Sequence, residues 1–272
     1  MNELVDVFRL FGFQFFQNAL IGGTIAALAC AWVGLFLILR KESMIGDGIA
    51  HTAFGGIALG LFFGVNPILT ALLVSAIAVL GISYMRQKGL AQSDSAIAVM
   101  LALGFSTGLI IISLAGGFTV ELFSYLFGSI LTIGQTDLII VSVLGVSTIL
   151  VLGIFYKELL SITFDEEGAR LTGIPVRPLS LAFNLLVAIT IVLSIKVIGV
   201  ILVVALLVLP GLSALQLNLS FKKTTLVAIC IGAISMTTGI LLSAVFNVAT
   251  SGVIVFTAAG FFIFTAVYRR LG

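Results

Sequence analysis

Charged residues are scarce in this sequence: Asp, Glu, Lys and Arg make up 9% of its 272 residues, whereas hydrophobic residues make up 61%. Soluble domains usually carry about 25% charged residues, which they need to cover a water-facing surface. The composition therefore excludes a soluble globular protein and predicts a polytopic membrane protein. No polar region is long enough for a separate soluble domain, so we expect residues 1–272 to form a single transmembrane domain.

Several patterns that would indicate other functions are also missing. The chain has two cysteines, both within apolar runs, and one histidine, so neither a disulfide framework nor a His-rich zinc cage is expected. No GxxxxGK[ST], GxSxG or HExxH motif occurs. We therefore expect no ATP hydrolysis by this chain, no enzyme active site and no cofactor of its own. The net charge of +2 gives no reason to expect a nucleic-acid partner.

Long apolar runs dominate what is present. A membrane-spanning helix needs roughly 20 mainly apolar residues, and nine segments approach this requirement. They span about 16–39, 45–64, 67–85, 92–114, 136–156, 178–195, 197–217, 224–246 and 249–268. The segment from 45 begins with polar residues, and the two segments around Lys196 are short. We therefore expect an all-α bundle with eight or nine spans.

Basic residues collect on one side of this topology. Alternate loops hold Arg40, Lys41, Arg86, Lys88, Lys157, Arg170, Arg177, Lys222, Lys223, Arg269 and Arg270. Of the 13 Lys and Arg residues, the other side holds only Lys196 and, near the start, Arg9. Because cytoplasmic loops carry the excess of basic residues, we expect the N-terminus outside and the C-terminus in the cytoplasm. The first residues lack a basic stretch, so we expect no cleaved signal peptide.

One apolar segment is too short for a span. TVELFSYLFGSIL (Thr119–Leu131) is amphipathic and lies on the outer side, which predicts a re-entrant or interfacial half-helix. Two acids, Asp94 and Asp137, each begin an apolar helix, and we favour helix capping over a role in a transport pathway for both.

The single histidine follows an aspartate by one helical turn. In ESMIGDGIAHTAFGGIALG, Asp47 and His51 are spaced i,i+4, so on a helix they share one face and can hold one small cation or one proton. Small residues at steps of four, from Gly48 to Gly64, lie beside that face and favour close helix packing. The alternative is that Asp47 caps the helix while His51 makes a core hydrogen bond. Placing an ionisable residue within a membrane segment costs free energy. This cost favours the interpretation of the pair as a site for a cation or a proton.

A single imidazole and a single carboxylate hold a divalent ion incompletely, so water or another protein must supply further ligands. Weak holding suits an ion in transit, which has to leave as well as enter. The two ligand types do not decide the metal, because carboxylate suits manganese and imidazole suits zinc and several others.

The longest polar stretch, KELLSITFDEEGARLTGIPVR (Lys157–Arg177), falls on the predicted cytoplasmic side. Asp165, Glu166 and Glu167 form an acidic group within it, and Pro175 ends any helix. Composition leaves two alternatives open: a solvated loop, or a short helix offered to a soluble partner.

Four blocks together resemble the permeases of ATP-driven zinc and manganese importers, the ABC-3 family. They are ESMIGDGIAHTAFGGIALG, LFGSIL (Leu126–Leu131), ITFDEEGARLTGIPVR (Ile162–Arg177) and GVILVVALLVLPGLSA (Gly199–Ala214). The blocks occur in the family's order and extend over nearly the whole chain.

The resemblance implies a type II ABC-importer-like permease in a prokaryotic plasma membrane. Its implied partners are a second copy of the chain, two cytoplasmic ATPase subunits that hydrolyse ATP, and an extracytoplasmic metal-binding protein. Asp47 and His51 match the family's metal-pathway pair, with zinc as the first expectation for the transported ion and manganese as the second. A segment near 158–176 matches the part that docks on the ATPase, with the residues Phe164, Asp165, Glu166, Glu167, Gly168 and Gly173.

Two other functions remain as alternatives to the permease. One is a secondary cation carrier that uses Asp47 and His51 as a relay without ATP. The other is a structural or assembly membrane protein, for which neutralising Asp47 would leave transport unchanged.

Overall fold

A computed structural model describes residues 11–117, 119–128, 134–246 and 248–271. Within these ranges the chain forms twelve α-helices and no β-strand. In chain order the helices are α1 (Gln14–Leu39), α2 (Met44–Phe63), α3 (Pro67–Gln87), α4 (Ser93–Leu114), α5 (Val120–Phe127), α6 (Gln135–Ile154), α7 (Tyr156–Phe164), α8 (Glu166–Leu171), α9 (Val176–Ile198), α10 (Val200–Leu215), α11 (Phe221–Phe246) and α12 (Thr250–Leu271).

Eight of these helices are long and apolar enough to cross a membrane: α1, α2, α3, α4, α6, α9, α11 and α12. The remaining predicted segment, 197–217, forms α10, which has only 16 residues and is about 24 Å long. A hydrocarbon core is about 30 Å thick, so α10 is a short ninth element. The prediction of an all-α bundle with eight or nine spans is confirmed. The predicted break at Asn247 lies outside the described residues.

The helices differ in how much of their surface is buried within the bundle. Helices α1, α2 and α9 are largely buried, whereas α4, α6 and α12 expose most of their surface. Helix α10 joins the buried group, since Val203 and Leu206 are fully enclosed. The core therefore lies around α1, α2, α9 and α10, and α2 packs against α3, α4 and α10.

Glycines allow α2 to lie very close to its neighbours. A Cβ atom on Gly55 would collide with the backbone of Gly104 in α4, and one on Gly56 would lie 2.7 Å from the Cα of Ala71 in α3. The predicted small-residue packing is therefore present. Gly64 does not take part: it has φ 67° and ends α2 in the left-handed region, where a glycine is favoured.

The short outer segment packs against the junction between α9 and α10. Helix α5 ends at Gly128 (φ 72°), whose backbone touches that of Gly199 (φ 90°), the residue between α9 and α10. A side chain at either glycine would collide with the backbone of the other segment. The described part of Thr119–Leu131 thus forms the predicted half-helix, while Ser129–Leu131 lies outside the described residues.

Of the two acids expected to cap helices, Asp137 does so and Asp94 does not. Helix α4 begins after Gln92, and Asp94 lies in its first turn without acting as the N-cap. Asp137 is the third residue of α6, where its Oδ2 accepts a hydrogen bond from the Gly134 N–H (3.2 Å), while its Oδ1 pairs with Lys196. Lys196 is therefore not in a loop, as predicted, but in the last turn of α9. Its ammonium group stays at this depth because Asp137 neutralises it.

The polar stretch is helical rather than a loop. It forms α7 and α8, with Asp165 between them as the N-cap of α8, where its Oδ1 accepts from the Gly168 N–H (2.9 Å). A turn at Gly173 (φ 85°) ends this pair of helices before α9 begins. Of the two alternatives for this stretch, the short helix is the one observed.

Contacts between connecting segments put the basic loops at one end of the bundle. Glu42 meets Arg86 (2.7 Å), which joins the α1–α2 turn to the end of α3. Arg40 donates to the Ser180 Oγ (3.1 Å) at the start of α9. This end carries the basic loops and is the predicted cytoplasmic end; the orientation of the termini stays a prediction, and Arg9 lies outside the described residues.

Candidate metal-transit site

The Asp47–His51 pair forms as the i,i+4 spacing predicts. The His51 Nε2 lies 3.4 Å from the Asp47 Oδ1, and each side chain is one-third exposed. Helix α2 begins at Met44 with Ser43 as its N-cap. Asp47 is thus not the capping residue, and its carboxylate is free to face the imidazole and a bound ion.

A phenyl ring and a buried nitrogen orient the histidine. Phe105 of α4 meets the His51 ring edge-on, with ring centroids 5.2 Å apart. The Nδ1 atom is enclosed and has no hydrogen-bond partner in the described part of the chain, so the core hydrogen bond of the alternative interpretation is not found. The packing leaves Nε2, beside the carboxylate, as the ring nitrogen placed to meet a ligand.

The pair lies on a strip of α2 between two packed faces. A Cβ on Gly48 would lie 2.7 Å from the Ile97 Cγ2 of α4, and one on Gly46 would lie 3.1 Å from the Leu207 Cδ1 of α10. Asp47 and His51 fall between these directions on the helical wheel. Neighbouring helices therefore fix the helix while the two ligands stay partly open.

These ligands are too few for a closed metal site. Among the described residues, no group of three or more His, Cys, Asp or Glu side chains is arranged to hold an ion. An ion at Asp47 and His51 must take further ligands from water or from another chain. The arrangement is suited to brief holding of an ion rather than to storage.

The pair lies near one end of its helix. Asp47 is the fourth and His51 the eighth of the 20 residues of α2, which puts them about 5–11 Å from its start at 1.5 Å per residue. This is the end predicted to be cytoplasmic. A kinked or unwound first span would have allowed a deeper position, but α1 and α2 are each continuous helices.

A cavity of about 540 Å³ lies at the opposite end of α2. Gly60 and Gly64 line it together with Glu121 and Tyr125 of α5 and Lys196 of α9. Burial raises the pKa of Tyr125, and the nearby carboxylates of Glu121 and Asp137 raise it further. The charged residues on the wall are one acid, Glu121, and one base, Lys196, of which Lys196 pairs with Asp137.

Residues 12–269 match the ABC 3 transport family. This chain belongs to that family. The permease is 32% identical to the manganese transport system membrane protein MntC of Halalkalibacterium halodurans, covering 96% of this chain and 90% of that protein. It is 34% identical to the manganese import system permease protein ScaB of Streptococcus gordonii, covering 93% of this chain and 91% of that protein.

A solved structure agrees with the fold. PsaBC from Streptococcus pneumoniae, determined in complex with Fab, superimposes on the ABC 3 family permease with a TM-score of 0.87 at 32% identity, covering 96% of this chain and 95% of that one. The resemblance inferred from the four sequence blocks is therefore confirmed, and with it a membrane-embedded permease fold.

The residues matched to ATPase docking lie together at one end of the permease. Phe164 exposes 69% of its surface, and Asp165, Glu166 and Glu167 are exposed beside it on the α7–α8 connection. Gly168 lies directly over the Asp165 carboxylate, and Gly173 ends the turn. These residues form an exposed, acidic, helical knob, and its docking on an ATPase stays a prediction.

An aromatic cluster ties this knob to the core of the permease. The Phe164 ring lies 6.4 Å from that of Phe221, which in turn lies 5.5 Å from Phe36 of α1. Phe36 is fully buried and also meets Phe183 of α9 at 6.1 Å. This chain of ring contacts connects α7 with α1 and α9.

Sequence reasoning missed a buried ion cluster just before α2. Glu42 is 4% exposed and its carboxylate meets the Arg40 Nε (3.4 Å) and the Arg86 Nη1 (2.7 Å). The partner residue Arg86 is 44 positions away, so the only local signal was an acid beside the Arg40–Lys41 pair. The cluster anchors the turn from which the metal-ligand helix starts.

Proposed function

We propose that this chain is the permease subunit of an ATP-driven manganese importer and that Asp47 and His51 hold the ion in transit. The observation that supports this most is the open, two-ligand pair at 3.4 Å on an otherwise tightly packed helix. Two copies of the chain, facing each other across the exposed strip of α2, would together supply four ligands for one ion.

We rank manganese ahead of zinc, which reverses the order expected from sequence. Two relatives at 32% and 34% identity are named for manganese transport or import. Half of the proposed ligand set is carboxylate, which suits manganese, and the absence of a thiolate at the pair gives zinc no added advantage.

Besides the second copy of the chain, the proposed importer needs two further kinds of component. Two cytoplasmic ATPase subunits dock on the α7–α8 knob, and a metal-binding protein delivers the ion at the cavity that Glu121 and Tyr125 line. ATP binding to the cytoplasmic ATPase subunits shifts α7. The contacts between Phe164, Phe221 and Phe36 transmit that shift to the helices around the pathway. An ATP-independent carrier would have no use for such a knob.

Uptake of radioactive manganese by cells expressing the complete transporter tests the proposal. Asp47→Asn and His51→Ala are expected to lower uptake roughly tenfold or more, because even outer-shell changes around metal ligands cost 10- to 100-fold in affinity. Asp94→Asn is the matched control, since Asp94 is exposed in the first turn of the neighbouring α4.

Zinc and ferrous iron are measured in parallel, at equal membrane levels of each variant. Loss of manganese uptake in both pair variants, with Asp94→Asn at the wild-type level, supports the transit site. Unchanged manganese uptake in both variants contradicts it. Zinc uptake that depends on the pair while manganese uptake does not would overturn the ranking of the two metals.

A further inference from the structure

A second polar cavity, of about 370 Å³, lies at the end of the bundle where the basic loops collect. Four arginines from four different helical segments line it: Arg40 after α1, Arg86 of α3, Arg170 of α8 and Arg177 of α9. Among the described residues, Glu166 is the only acid on its wall. Such a concentration of guanidinium groups is unusual in a chain with 13 basic residues.

The carboxylates nearby neutralise only part of this charge. Glu42 pairs with both Arg40 and Arg86, and Glu166 pairs with Arg170 at 2.9 Å. Arg177 makes no ion pair or hydrogen bond within the described ranges of the chain. Four cations therefore share two anions, and the cavity keeps a net positive charge.

One of the arginines is buried and incompletely bonded. The Arg40 side chain is 9% exposed, and its Nη1 has no hydrogen-bond partner among the described residues. Burial lowers the pKa of Arg40, an effect that Glu42 opposes. An additional anion would compensate this buried cation.

We propose that this cavity binds a phosphate-bearing anion, either the headgroup of an anionic phospholipid or free phosphate. Guanidinium groups present paired N–H donors that match phosphate oxygens. Basic pockets between membrane helices on the cytoplasmic side are the usual place for anionic headgroups. The proposal does not rest on the proposed function, although the cavity shares Glu166 and Arg170 with α8.

The surface beside the cavity accommodates the lipid form of this ligand. Exposed apolar side chains form one stripe of α3 that ends beside Gln87, a residue of the cavity wall: Leu73, Ile77, Leu80 and Tyr84. Their spacing of three and four residues keeps them on one face of the helix. Acyl chains can lie along this stripe while the headgroup enters the cavity.

Thermal unfolding of the purified full-length permease tests the proposal, with phosphatidylglycerol titrated against phosphatidylcholine in detergent. Phosphatidylglycerol is expected to raise Tm, and the double variant R170Q/R177Q is expected to need roughly tenfold more of it for the same shift. Both arginines are exposed enough to replace without unfolding the chain. R269Q, at the same end but outside the cavity, is the matched control and should respond like the wild type.

Inorganic phosphate, added in phosphatidylcholine alone, separates the two sources. A Tm increase that R170Q/R177Q abolishes would identify free phosphate as sufficient, whereas a response to phosphatidylglycerol alone would identify the lipid. If neither raises Tm, or if R170Q/R177Q responds like R269Q, the cavity is not an anion site and the proposal is wrong.

Discussion

Two carboxylates five positions apart have opposite surroundings. Glu42 is 4% exposed and is held by two guanidinium groups, from Arg40 and Arg86. Asp47 is one-third exposed and faces one imidazole, that of His51. A buried charge is costly unless opposite charges pair with it, whereas a ligand for a transported ion must keep bonding capacity unused. The comparison separates a carboxylate that holds the fold from one that is available to a metal ion.

Replacing the buried acid should have the largest effect on stability. Glu42→Gln leaves two arginines without their counter-charge, and we expect a loss of about 3 kcal/mol in the free energy of unfolding, because breaking a buried pair costs that much. The purified permease should show a much lower Tm, and cells should contain less of it. Glu167→Gln, at an exposed acid, serves as the control. A Tm near that of the wild type would show that Glu42 is not the structural carboxylate.

The next largest effect is expected where α2 meets α4. Gly55→Ala places a methyl group against the Gly104 backbone, which cannot move aside, so we expect a loss of about 2 kcal/mol from overpacking. Gly48→Ala meets the Cγ2 atom of the Ile97 side chain rather than backbone, and should cost less. Unfolding measurements on both variants compare them directly, and a smaller loss for Gly55→Ala would contradict the packing described here.

Replacing the open acid should leave folding nearly unchanged. Asp47→Asn keeps the shape of a side chain that is one-third exposed, so we expect a change within about 0.5 kcal/mol, as for surface substitutions. Manganese uptake should nevertheless fall strongly. Uptake and Tm measured on the same preparation separate the two effects. A Tm loss as large as that of Glu42→Gln would remove the distinction between the two carboxylates.

The exposed ion pair on α8 should contribute least. Glu166 and Arg170 are each 58% exposed and 2.9 Å apart, and such i,i+4 pairs contribute about 0.3–0.5 kcal/mol. Glu166→Gln should therefore shift Tm only slightly, and less still at high salt, because salt screens exposed charges. A shift comparable to that of Glu42→Gln would mean that α8 is held by this pair, contrary to its exposure.

The parts of this protein that sequence predicted correctly depend on local patterns. The spans follow from apolar runs of helical length, and the Asp47–His51 pair follows from the helical repeat. The half-helix at Thr119 follows in the same way, from a run too short to cross the membrane. Each of these features is determined by residues that are neighbours in the chain, so no knowledge of the packing was needed.

The features that sequence missed join distant residues. Lys196 pairs with Asp137, which is 59 positions away in the sequence, and Arg86 pairs with Glu42, which is 44 positions away. No local pattern distinguishes these charges from solvated ones, and Lys196 was accordingly expected in a loop. The polar stretch from Lys157 was undecided for a related reason: its helices are stabilised by contacts such as Phe164 with Phe221.

By itself, the sequence determined that this chain is a helical membrane protein with one candidate ligand pair, since both conclusions rest on composition and on the repeat of a single helix. Only the tertiary structure decided which charges are buried and paired and which stay open. That decision depends on which helices meet, because the free energy of a charge in a membrane bundle depends on the partners that packing brings to it.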